Sequence, residues 1–323
     1  MPTDAPFAWG ALVDGLAAEH GSLAALALHL AERRAFAEDA ESVERGLRRL
    51  RGRGSGAGGV WGDRLLRVYG LPTAVVDRVR WMGQYHTRFT DLPVSLCREL
   101  LGPWDRPPVS ESPARVWVLL GRASLALRQR QSARPMLAQA ALLAARAEPA
   151  AQVERALVEA FVISRDDEAG AAKLLDEASA LLAAGGLAPD DQACLFARLV
   201  DQRAWVFNRR PPLDHGAAAA LYATIPADGP PFARCRRENG LGWSWLRLGD
   251  RAAARAHALA SVEAAGDGGS LRLRAMALNL LAHAAEGEEA RAAAGRAGAI
   301  ATRLEDEALR VRFGVLDPTV AAR

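Results

Sequence analysis

The sequence predicts an all-α chain: an N-terminal helical domain over residues 1–112, then a solenoid of repeated helix pairs over residues 113–323. Three observations predict it. Half of the residues are hydrophobic but only 6% are aromatic, so alanine and leucine dominate and helix propensity is high. No stretch alternates β-branched and polar residues with the period of two that a half-buried strand needs. A pattern of small residues recurs down the last two thirds of the chain, at a spacing a little above ~34 residues.

Phe7 to His20 reads as the first helix, with Trp9, Leu12, Val13 and Leu16 on one face. Gly21 ends it, and Ser22 is placed to cap a second helix, Leu23 to Arg33. Asp39 is placed to cap a third, Ala40 to Arg51. The run RGRGSGAGG, Arg51–Gly59, holds no regular element and is expected to be a flexible loop. Trp61 to Tyr69 forms a helix closed by Gly70-Leu71-Pro72; Thr73 is expected to cap the next, and another covers Asp91–Leu101. Trp81, Tyr85, His86 and Phe89 crowd together in this region. At four-residue spacing Trp81, Tyr85 and Phe89 are expected on one helical face, as a packing seam against the first repeat. Pro103, Pro107, Pro108 and Pro113 mark the junction.

In the second region, Arg115–Ala147 sets Trp117, Leu120 and Gly121 in one helix and Ala133, Leu137 and Ala140 in the next. Ala171, Leu175 and Ala178 fill the second-helix positions of a further copy. Gln192–Arg209 with His215–Thr224 form a degenerate copy around Pro211-Pro212. Leu241, Gly242 and Trp245 pair with Ala254, Ala258 and Ser261; Leu278 and Asn279 pair with Ala290, Ala294 and Ala297. These copies resemble the tetratricopeptide (TPR) repeat, whose W-x2-L-G helix packs on a second helix through small residues. The resemblance implies an α-solenoid with a concave groove lined by first helices, which is a binding surface and fixes architecture better than role.

Two strings in the first region, Ser42–Leu50 and Asp63–Pro72, resemble the end of the recognition helix and the following helix of XRE-type helix-turn-helix regulators, with Ser22–Ala31 as the first of the pair. The resemblance implies phosphate contacts from Arg45, Arg48, Arg49, Arg51 and Arg53, with bases read from the start of the third helix. Seven arginines stand against five carboxylates over residues 32–53, a modest positive bias. Glu38, Asp39 and Glu41 oppose it at the start of that helix, and the turn from Glu32 to Asp39 is longer than the family's tight turn. A run of arginines also suits a solvated helix C-terminus, where cations meet the favourable end of the dipole.

Asparagine occurs only at Asn208, Asn239 and Asn279, each within the first helix of one of the last three repeats. An amide side chain offers both donor and acceptor to a bound peptide backbone. Arg236 and Arg272 lie a turn or more before Asn239 and Asn279 and have the fork that holds a carboxylate. Gln202 and Arg209 complete the expected peptide or partner site. The domain order resembles peptide-responsive regulators that join an XRE-type domain to a TPR domain.

Other classes find little footing. Cys97, Cys194 and Cys235 are far apart and fit neither a metal spacing nor a disulfide framework, as expected of a reducing cytoplasm. No GxSxG, P-loop or HExxH occurs, and the histidines share no spacing, so no catalytic residue, metal or cofactor is expected. Asp166-Asp167-Glu168 is expected to cap a helix. No signal peptide and no bilayer-length apolar run is visible, so no membrane partner is expected. The net charge of +3 is small, and Lys173 is the only lysine. The leading expectation is a cytoplasmic transcriptional regulator that binds double-stranded DNA and is modulated by a peptide or protein in the TPR groove, with a homodimer as one way to set the spacing of two DNA-reading domains. The alternative is a TPR adaptor without DNA binding. An enzyme with a cleft between the two regions is a third class.

Overall fold

The structure is a computed structural model that describes residues 6–33 and 38–314. Arg34, counted above in the positive bias, and most of the turn before Asp39 lie outside the described residues. Among the described residues all regular structure is helical, as the composition predicts.

The first helices follow their caps. Helix α1 (Trp9–Glu19) ends before Gly21, whose φ of +88° suits glycine. Ser22 accepts from Ala25 N–H to start α2 (Leu23–Ala31), and Asp39 accepts from Ser42 N–H to start α3 (Ala40–Arg51). Helix α4 (Gly59–Tyr69) follows. Trp9, Leu12, Val13, Leu26, Leu30, Val43, Leu47, Leu50 and Leu65 form one apolar cluster. The glycine run before α4 is not a flexible loop but a series of turns wrapped on Trp9. The Trp9 indole donates to Gly56 O at 2.9 Å, and its backbone N–H donates to Gly54 O. A Cβ at Gly58 or Gly62 would strike the Trp9 ring, so the glycines are spent on close approach.

By packing, the chain then changes core. Helices α5 (Thr73–Gly83) and α6 (Val94–Leu101) bury Val79, Met82, Val94, Cys97 and Leu101 in one cluster with Trp117, Leu120 and Leu157 of the following helices. Thr73 does not cap α5: the helix starts after Pro72 with no side-chain cap. The predicted Asp91–Leu101 helix is instead a 3-10 turn, Arg88–Asp91, and then α6 after Pro93.

Five helix pairs complete the array: α7 (Arg115–Arg128) with α8 (Arg134–Ala144), α9 (Pro149–Ile163) with α10 (Glu168–Ala184), α11 (Pro189–Arg209) with α12 (His215–Ala223), α13 (Pro231–Arg247) with α14 (Arg251–Asp267), and α15 (Leu271–Ala284) with α16 (Gly287–Arg303). Asp167 caps α10 by accepting from Gly170 N–H, as the acidic cluster predicts. Ala133, Ala140, Ala178, Ala254, Ala258 and Ala297 are buried at the second-helix positions, but in α16 the expected Ala294 is exposed and Ala290 half-buried, and Ala293 is buried in their place. Gly121 serves a different neighbour from the one expected. A Cβ there would lie 2.8 Å from Met82 O, and one at Gly83 would lie 2.4 Å from Trp117 O. The pair therefore lets α5 and α7 touch, and does not serve the α7–α8 hairpin.

The array closes on itself. Short helix α17 (Glu307–Arg312) and the turn before it return to α6 and α7. Arg128 on α7, only 2% exposed, donates to Leu92 O, Leu304 O and the Asp306 carboxylate at 2.9, 2.8 and 3.2 Å. Glu305 accepts from Ser95 N–H at 2.7 Å and so caps α6 from the far end of the chain. Asp91 does the reverse: its carboxylate accepts from Arg272 N–H and Ser270 Oγ at the start of α15. The two ends of the repeat array thus cap one another's helices.

Candidate ligand site inside the ring

Inward-facing residues recur on the first helices of four of the five pairs. Glu154 on α9, Arg198 on α11, Arg236 on α13 and Arg272 on α15 are all at least nine-tenths buried or lie at the inner rim. The three arginines converge on one residue, Tyr85, and Glu154 pairs with Arg198. Helix α5 ends at Gly83, so Tyr85 does not continue the Trp81 and Phe89 face expected of it. Trp81 and Phe89 do stack edge to face, with ring centroids 5.2 Å apart, while Tyr85 turns away into the ring. Thr87 shapes that turn by donating from its hydroxyl to Trp81 O and Gln84 O.

The guanidinium carbons of Arg198, Arg272 and Arg236 lie 4.6, 5.0 and 5.5 Å from the Tyr85 ring centroid. Arg236 donates to the Tyr85 hydroxyl at 3.0 Å, and Arg272 donates to it as well. Burial pushes the phenol upward, but Arg272, Arg236 and Arg198 outweigh burial and bring it down to about 8. The arginines are held in turn. Arg198 pairs with Glu154, Arg236 with Asp201 at 3.0 Å, and Arg272 with Asp306 at 2.9 Å. Asp306, fully buried, also serves Arg128, so one carboxylate balances two guanidinia and the phenol takes up part of the surplus charge.

Beside Tyr85, Asp191 at the start of α11 collects three partners. Gln84 donates from Nε2 at 3.1 Å, His86 Nε2 lies 2.9 Å away, and Arg80 completes the set. Burial raises the Asp191 carboxyl, but His86 and Arg80 bring it below its ordinary value. Phe232 meets both Tyr85 and His86 edge-on. Further round the wall, desolvation and then Arg209 and Arg312 lower the guanidinium pKa of Arg247, while Arg312 itself is exposed and lies near Asp201, Arg236 and Arg209. Arg209, Arg247 and Arg312 form no ion pair among the described residues, which leaves this side of the ring cationic.

Of the seven residues expected to hold a peptide, the ring brings together Arg236 and Arg272. Asn208 is instead tied between helices, donating to Ser244 Oγ at 3.1 Å and meeting His215 Nδ1 at 2.9 Å. Asn239 reaches Met276 O, and Gln202 donates to Leu157 O, so both bridge neighbouring repeats. Asn279 is 8% exposed and makes no hydrogen bond among the described residues. Arg209 is exposed near the cationic wall. Tyr85, Asp191 and Arg198 were not anticipated. Tyr85 reaches Arg236 and Arg272 across 151 and 187 residues of chain. The only local signal was the aromatic crowd beside a glycine at the end of α5.

The arginines of α3 and the turn after it occupy one exposed stretch of the N-terminal helices. Arg45 is near Glu41, Arg48 pairs with Glu44 at 2.5 Å, Arg51 pairs with Asp14 at 2.8 Å, and Arg53 donates to Ala57 O. Arg49 is exposed with no ion pair among the described residues. The opposing carboxylates are engaged: Glu38 holds Arg64 at 2.7 Å and Asp39 caps its own helix. A concavity of about 250 Å³ lies between α4–α5 and α7, lined mainly by Leu66, Leu71, Val76, Val116 and Trp117. Its Glu148 accepts from the Trp117 indole at 2.6 Å. Among the described residues no group of His, Cys, Asp and Glu is placed to hold a metal, and no single helix is long and apolar enough to cross a membrane. Burial pushes the Cys194 thiol up to about 12, which makes it a poor nucleophile. Comparison with family models, curated proteins and solved structures found no match for this chain.

Proposed function

We propose that the chain is a ligand-responsive regulator, in which the helical ring recognises a peptide and the N-terminal domain contacts DNA through the arginine-rich end of α3. The observation that carries the reading is the convergence of Arg198, Arg236 and Arg272, from three alternate helices, on one tyrosine inside the ring, two of them on its hydroxyl. Guanidinium forks gathered at a point serve recognition of an acidic or hydroxyl group better than they serve folding, since each buried cation costs several kcal/mol to desolvate. Buried small residues in α8, α10 and α14 at the positions of the repeat support a TPR-like identity for the ring.

The DNA-binding part rests on Arg45, Arg48, Arg49, Arg51 and Arg53, which share the exposed end of α3 and the turn after it. Exposed i,i+4 pairs such as Arg48–Glu44 are worth only ~0.3–0.5 kcal/mol, too little to withhold an arginine from phosphate. The test is selection of genomic DNA fragments by the purified chain at two salt concentrations. A discrete sequence that survives the higher salt is expected. Arg48→Ala with Arg49→Ala should then lower the slope of log affinity against log salt by about two. Enrichment of nothing would leave the adaptor reading, in which the ring binds a peptide or protein and α3 is a solvated surface.

A further inference from the structure

The ring already contains a peptide, and that peptide is the chain's own. After α5 the backbone is extended at Gln84 and at Thr87, with φ and ψ of −74° and 131° and of −90° and 164°, and it turns at Tyr85 and His86 between them. Three successive side chains are read by the wall. Gln84 and His86 share Asp191 Oδ1, and Tyr85 between them lies under three guanidinia with its hydroxyl bonded to two. Phe232 covers the two rings edge-on. The remaining members of the wall are less well matched: Arg209, Arg247 and Arg312 form no ion pair among the described residues, and Arg312 feels Asp201 and Tyr85 only through space.

We propose that Gln84–Thr87 is a resident ligand of the ring, displaced in operation by a peptide that carries tyrosine to Arg236 and Arg272 close to a free C-terminal carboxylate. This rests on the peptide-binding part of the function proposed above and is independent of DNA. The tyrosine would reproduce the bonds that Tyr85 makes. The carboxylate would meet Arg209, Arg247 and Arg312, which form no ion pair among the described residues, and this gives the incoming peptide a contact that the resident lacks. A segment tethered on both sides competes at millimolar effective concentration, so it suppresses incoming peptides by orders of magnitude until one makes extra contacts.

The test uses a labelled peptide with the sequence of residues 80–91 and a free C-terminus, titrated by fluorescence anisotropy against the full chain. The partner protein is Tyr85→Ala with His86→Ala, whose fold is checked by circular dichroism. Binding at least ten-fold tighter to the variant than to the unaltered chain is expected. Replacing the peptide's tyrosine by phenylalanine should remove most of that gain. If the double variant does not fold, Tyr85→Phe keeps the ring packing, loses both hydroxyl bonds and carries the same comparison. Equal, saturable binding to both proteins would overturn the resident-ligand inference and leave a peptide-binding ring standing. Absence of binding to either folded protein would overturn both. A peptide whose tyrosine is dispensable would overturn the assignment to Arg236 and Arg272.

Discussion

Tyr85 concentrates the chemistry of the ring in one hydroxyl. Its pKa of about 8 sits below the ordinary 10.0, so it ionises in the folded chain before it would in the unfolded one. The resulting stabilisation is fully present above the unfolded value and is lost as pH falls through about 8. Two units correspond to roughly 2–3 kcal/mol. Raising the pH from below 8 toward 10 should therefore widen the difference in Tm between the unaltered chain and Tyr85→Phe. Parallel curves would mean that the phenol is not ionising among the arginines. At this scale Arg236 and Arg272 were legible in the sequence as fork-bearing residues on first helices. What they hold was not, because the contact joins residues far apart along the chain and no periodicity crosses that gap. The asparagines show the opposite error. Their rarity is plain in the sequence, but Asn208 and Asn239 answer polar groups of adjacent helices, and amide chemistry alone does not separate a bridge between repeats from a contact to a ligand.

At the level of elements, local signals decided most of the outcome. Ser22, Asp39 and Asp167 all cap where their positions predict, because an N-cap is a bond across three residues and needs nothing distant. The buried alanines of α8, α10 and α14 were likewise readable as a period, whereas in α16 the period pointed to Ala294, which is exposed beside the buried Ala293. The small residues at helix crossings were legible as small, and the neighbour each admits was not. Gly83 and Gly121 turn out to join α5 to α7. This separates two glycine substitutions that helix propensity alone would treat alike. Gly15, exposed in α1 with open space around it, should gain about 0.5–1 kcal/mol on change to alanine. Gly83→Ala places a methyl 2.4 Å from a main-chain oxygen that cannot rotate aside, and should cost about 1–3 kcal/mol. Chemical denaturation of the two variants checks both signs. Stabilisation by Gly83→Ala would show that α5 and α7 stand further apart than described.

The whole molecule depends on a latch that no repeat pattern announces. Arg128, Asp306 and Arg272 form a buried chain of charge between α7, the turn before α17 and α15. Breaking such a pair by removing one partner strands the other, at about 3–5 kcal/mol. Asp306→Ala should lose that much stability, and should also loosen Tyr85 by freeing Arg272. Thermal unfolding with Tyr85 ionisation as a second readout checks it; a variant as stable as the parent would show that the ends are not joined. From the sequence alone the array reads as an open solenoid with two ends. Closure was illegible because it is made by a short helix and by caps exchanged between segments about 180 residues apart.

Closure also decides how such a chain comes apart. An open array of repeats melts from its termini, because an outer repeat has one neighbour where an inner one has two, and stability is close to a sum of nearest-neighbour terms. Here the first and last turns of the array are each other's neighbours. Peeling has no preferred starting point, and every helix pair from α7 to α16 is flanked on both sides. The protection of backbone amides against hydrogen exchange should accordingly be nearly level round the ring, and should tilt toward the ends once the latch is cut.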